Sequence, residues 1–161
     1  MLKFIETSIV FQEVPDEVSL AISITGCPNH CPDCHSKYLW EDTGSVLDEA
    51  ALDSYITAYR DGITCVCFMG GDGDKYEVYR LAKYVKDAYP GMKTAWYSGS
   101  REIDNDFPWS DFDYVKIGPY IQKYGPLDSP DTNQYMLRKT SEKTWEDITH
   151  VFYRNKHPER F

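Results

Sequence analysis

Between Val18 and Tyr120 the chain repeats one theme: a short apolar run stopped by glycine, with stretches of helical period set between the runs. Val18 to Thr25 puts Val18, Leu20, Ile22 and Ile24 on one face and smaller residues on the other, which predicts a strand. "LDEAALDSYITAYRDG" then offers Asp48 as an N-cap, Ala51, Leu52, Tyr55, Ile56 and Tyr59 at helical spacing, and Gly62 as a stop. Ile63 to Met69 reads as a buried strand ended by "GGDGD", and roughly Lys75 to Tyr89 as a second helix with Val78, Leu81, Ala82, Val85 and Ala88 inward. "KTAWYSG" and "YVKIGPY" predict two further strands, each cut by glycine. Such alternation implies parallel pairing through right-handed crossovers.

After Tyr120 the pattern weakens. "KYGPLDSPDTNQ" reads as a loop, and the tail from Ser141 is only loosely patterned. At 161 residues the chain is expected to form one domain over 1–161, with its core in about 18–137. In parallel α/β sheets ligands bind at the carboxyl ends of the strands. The stretch "TGCPNHCPDCHSKYLW" from Thr25, "GGD", "YSG" and "IGPY" each follow a predicted strand, so four loops distant in sequence are expected to meet on one edge.

The first of those loops carries Cys27, Cys31 and Cys34, with His35 beside the last. In a reducing compartment closely spaced thiols bind metal or catalyse more often than they pair as disulfides. Zinc takes four tetrahedral ligands, and these four residues nominally supply them, although adjacent Cys34 and His35 are awkwardly placed for one ion. An iron–sulfur cube takes thiolates on separate irons, and three cysteines would leave one iron open for a substrate. Cys65 and Cys67 share one face of a short apolar run and read as small core residues.

Charge limits the partners. With 17 Lys+Arg against 26 Asp+Glu the formal charge is −9, which disfavours nucleic acid and anionic membrane surfaces. No apolar run reaches spanning length, and Glu6 interrupts what would be a signal core, so a cytoplasmic protein is expected.

The spacing C-x3-C-x2-C, written "CPNHCPDC" from Cys27, resembles the signature of radical S-adenosylmethionine enzymes. Further segments are similar to one branch, the activating proteins of anaerobic (class III) ribonucleoside-triphosphate reductase. Gly26-Cys27 closes a strand, Trp40 follows the cysteines, and Gly70-Gly71-Asp72, "WYSGS" from Trp96, "KIGPY" from Lys116 and "SPDTNQ" ending at Asn133-Gln134 come in matching order.

The resemblance implies an α/β fold, a shortened TIM-like βα barrel with parallel strands. It implies a [4Fe–4S] cluster on Cys27, Cys31 and Cys34, whose fourth iron is chelated by S-adenosylmethionine. Asp33, Cys34, His35, Gly70, Gly71, Asp72 and Ser98 would line the cofactor site. Lys116 and Arg138 are candidate cations for the methionine carboxylate, with a solvated surface position the alternative. No acid–base side chain is required, since the cofactor does the hard chemistry. The implied activity is reductive cleavage of S-adenosylmethionine and formation of a glycyl radical on the large reductase subunit, with a flavodoxin-type electron donor.

Overall fold

The computed structural model describes residues 1–102, 104–108 and 111–156. Its framework is one eight-stranded mixed sheet. The strands are β1 (Leu2–Val10), β2 (Ser19–Ile24), β3 (Ser45–Leu47), β4 (Cys65–Met69), β5 (Lys93–Tyr97), β6 (Tyr114–Ile117), β7 (Tyr135–Ser141) and β8 (Thr144–Asp147). Their spatial order is β3-β1-β2-β4-β5-β6-β7-β8. The four central strands, β2, β4, β5 and β6, run parallel, and the flanking pairs are antiparallel.

Register decides what each face holds. Leu20, Val66, Thr94 and their alternates turn one way, and against this face pack α1 (Glu49–Tyr59) and α2 (Lys75–Ala88) through Leu52, Ile56, Val78, Leu81 and Val85. Asp48 caps α1 by accepting from the Ala51 N–H at 2.9 Å, which satisfies one of the donors a helix start leaves free. Tyr59 is 46% exposed and Ala88 is exposed as well, each being the last residue of its helix.

The opposite face presents smaller side chains in register, Ser19 with Cys65, Ala21 with Cys67, and Cys67 with Ala95. It is covered by Val14 of the β1–β2 connection, Leu127 of the β6–β7 loop, and Ile148 with Val151 and Phe152 at the start of α3 (His150–Lys156). The segment expected to be loosely patterned thus forms β8 and α3, while residues 157–161 lie outside the described residues. No helix among the described residues is long and apolar enough to cross a membrane.

Candidate iron–sulfur site

The cysteine loop springs from the carboxyl end of β2 and returns beside itself. Gly26 adopts φ +72°, a conformation glycine takes without steric cost, and turns the chain out of the strand. The returning limb is then clamped to the outgoing one, Gly26 N–H donating to Glu41 O at 3.1 Å and Cys27 N–H to Leu39 O at 3.0 Å. Inside this clamp Cys34 N–H donates to Cys31 O at 3.0 Å, and the Ser36 N–H donates to Cys34 Sγ at 3.3 Å. All three thiols are half-buried and unpaired with one another.

The four loops do meet at this edge. Asp72, just beyond β4, accepts from Asn29 Nδ2 at 2.7 Å in the cysteine loop, from Gly99 N–H at 2.8 Å, and from the Ser98 hydroxyl beyond β5. Gly118 N–H beyond β6 donates to Ser100 O at 2.8 Å, and Asn133 Nδ2 holds Pro119 O at 3.0 Å. Asp72 is therefore the tie between three of the loops. A cleft of about 510 Å³ opens between them, lined by Asn29, Cys31 and Pro32, by Gly99 to Arg101, and by Pro119 to Ile121.

Lys116 supplies the site's cation, on a half-buried side chain. Its ammonium donates to the carbonyls of Gly118 at 2.8 Å and Ser98 at 3.3 Å. Burial pulls its pKa down to about 8, while Asp72 and the thiols of Cys31, Cys27 and Cys34 pull in the other direction. One positive charge thus sits within electrostatic reach of a carboxylate and all three cysteines. Arg138 is elsewhere: it pairs with Glu146 at 2.9 Å and lies opposite Tyr114, at the far end of β6.

The remaining predicted residues have quieter surroundings. Gly70 and Gly71 both have positive φ, but the space they leave is taken by the chain itself. A Cβ on Gly70 would meet Ile24 O at 3.0 Å, and one on Gly71 would meet Val78 Cγ2 at 2.4 Å. Gly70 O accepts from Trp96 Nε1 at 2.8 Å. Asp33 accepts from Gln122 N–H at 3.4 Å, and the His35 ring lies 4.8 Å from that of Tyr120, so the β6–β7 loop rests on the cysteine loop. Asn29, Gly99 and Tyr120 were not singled out by sequence reasoning. Asn29 stands at an unspecified position of the C-x3-C spacing, and only its pairing with Asp72 marks it.

Cys65 and Cys67 are fully buried on the opposite sheet face, so neither reaches the loop. No three His, Cys, Asp or Glu side chains among the described residues are disposed to hold one metal ion. A cube asks for something different, one thiolate on each of several irons. The donor set fits that demand, and so does the Trp40 Nε1–H, which is buried beside the loop without a partner among the described residues. A model of the family described as a 4Fe-4S single cluster domain matches residues 18–107, more than half of the chain. This chain belongs to that family. The matched span of the 4Fe-4S domain runs from the start of β2 past β5 and includes Cys27, Cys31, Cys34, Asp72 and Ser98. No curated protein and no solved structure matches the chain.

Proposed function

We propose that this iron–sulfur protein is an activating enzyme of the radical S-adenosylmethionine type, acting on a backbone glycine of a larger partner. The resemblance in its motifs points to anaerobic ribonucleoside-triphosphate reductase as that partner, in the cytoplasm, with a flavodoxin-type protein as electron source. The four parallel strands are read as the shortened βα barrel of this class, flanked here by antiparallel strands on both sides. The observation that carries the reading is a ligand count. Three cysteines share one loop, the other two are sealed in β4, and a cleft opens on the Cys31 side of the trio.

When bound, a reduced cluster would supply the one electron that parting S-adenosylmethionine into methionine and a 5′-deoxyadenosyl radical requires, the radical being the species that takes a hydrogen atom from a glycine Cα. The chain's own residues bind and orient. Cys27, Cys31 and Cys34 would hold the cluster, three thiolates where a cube can take four. Asp72, held in place by Asn29, Gly99 and Ser98, offers a carboxylate to the methionine ammonium, a charge-assisted contact stronger than a neutral one. Lys116 offers its ammonium to the methionine carboxylate from the same edge. The cleft between Asn29 and Tyr120 admits the nucleoside and leaves the site open to a glycine-bearing segment.

The test is anaerobic reconstitution of the full chain with iron and sulfide, followed by dithionite and S-adenosylmethionine. 5′-Deoxyadenosine is expected, and its absence from protein carrying a full cluster would defeat the reading. Adding the large reductase subunit should then yield a glycyl radical signal. Turnover on a lone metabolite instead would assign a small-molecule substrate.

A further inference from the structure

Trp40 carries a polar atom that the cleavage reading does not use. Its Nε1–H is buried and has no hydrogen-bond partner among the described residues. An indole nitrogen can only donate, so shutting it away from water without an acceptor is unfavourable. Its surroundings are built rather than loose. The His30 ring, between Cys27 and Cys31 in sequence, stacks on the indole at 4.5 Å and 10°. Lys37 Nζ lies 5.7 Å from the indole centroid. The flanking residues Leu39 and Glu41 are the two that accept from Cys27 and Gly26, so Trp40 is pinned in register with the first cysteine.

What this loop is made to hold is rich in the acceptor that is lacking: sulfur, as bridging sulfide and as thiolate. We propose that Trp40 Nε1–H donates a hydrogen bond to a sulfur of the bound [4Fe–4S] cluster and is thereby a positioning residue that sets the cluster's reduction potential. Reduction adds negative charge to the cluster, and a donor to its sulfurs stabilises the reduced state more than the oxidised one, which raises the potential. His30 is the flat wall that keeps the indole edge aimed. This inference rests on the cluster alone and stands whether or not S-adenosylmethionine is the substrate.

The experiment therefore omits S-adenosylmethionine. The full chain is reconstituted, and its cluster is titrated potentiometrically with electron paramagnetic resonance as the readout. Trp40→Phe keeps a ring against His30 and removes only the N–H. It should hold the same iron and sulfide per chain yet show a lower potential, by about tenfold in the reduced-to-oxidised ratio or about 59 mV for one electron. An unchanged potential at full cluster content overturns the proposal. A second measurement needs no variant: with tryptophan labelled by 15N at the indole nitrogen, pulsed resonance of the reduced wild-type cluster should show 15N coupling. Of the chain's four tryptophans, only Trp40 stands in the cysteine loop. Absence of that coupling overturns the proposal even if Trp40→Phe fails to retain its cluster.

Discussion

The two ends of the parallel strands are furnished with the same three kinds of group, a thiol, a carboxylate and a lysine, and they do opposite things with them. At the amino end Glu17 is 7% exposed, yet its charge is answered: Lys93 pairs with it at 2.7 Å, the Thr64 hydroxyl donates at 2.5 Å and the Tyr114 hydroxyl at 3.2 Å. Cys65 beside them is buried, and burial pushes its thiol up to about 12. At the carboxyl end the half-buried Lys116 donates to carbonyls, with no carboxylate at ion-pair distance among the described residues, and three half-exposed thiols lie within its field. A closed polar network stabilises one conformation. A half-buried cation without a carboxylate partner, beside three thiols, makes sense as half of an arrangement, the other half being an anionic cluster.

Substitutions at matched positions separate the two ends. Cys31→Ala should abolish the cluster altogether, read as loss of iron, sulfide and visible absorbance, whereas Cys67→Ala should keep full iron content. Next in size is Glu17→Ala. Lys93 is about half exposed, so the ion pair itself contributes little. The larger part comes from the buried Tyr114 hydroxyl losing its acceptor, about 2 kcal/mol in denaturant unfolding with no change in cluster content. Asp72→Asn is the mirror image. It keeps size and one carbonyl but loses the charge, and should weaken S-adenosylmethionine affinity roughly tenfold in equilibrium binding while sparing iron content. Equal losses of cofactor and iron would argue against its proposed role as an ammonium partner.

The strands that matter to the site were readable because glycine follows each of them: Gly26, Gly70, Gly99 and Gly118 stand at or just beyond the ends of β2, β4, β5 and β6. The flanking strands were not readable, for reasons the structure makes plain. In β1 a register shift between Phe4 and Glu6 flips the alternation, so Leu2 and Phe4 face the helices on even numbers and Ile9 on an odd one. No single period fits such a run. In β7 the positions after Met136 are only half-buried or exposed, and the polar run Arg138, Lys139 and Thr140 shows no apolar alternation. With seven residues, α3 is too short to show a helical period. At the site, the cysteines were legible from spacing alone. The contacts that knit the loops, Asn29 to Asp72 and Gln122 to Asp33, span 43 and 89 residues, and nothing local encodes them.

The smallest effect expected concerns the sealed thiols and reads their burial directly. Cys65 is raised from about 9 to about 12 chiefly by desolvation, and Cys67 moves the same way. Below pH 9 the thiol is protonated in both folded and unfolded chains, and the full benefit of burying it neutral is present. Between about 9 and 12 the unfolded chain releases its proton while the folded one retains it, so the unfolded state binds fewer protons and stability falls as pH rises. For Cys65 alone this is about 1 kcal/mol lost between pH 8 and pH 10, and Cys65→Ala should flatten that part of the profile. The half-buried Tyr97 and the buried Tyr114 are raised as well and will leave a residual slope in the variant. Maleimide labelling of cluster-free protein at pH 8 gives the matching kinetic readout: Cys27, Cys31 and Cys34 should react from the folded state, and Cys65 and Cys67 only as the sheet opens. Prompt labelling of Cys65 in folded protein would mean that the two ends of the sheet differ less in solvent access than the structure has them.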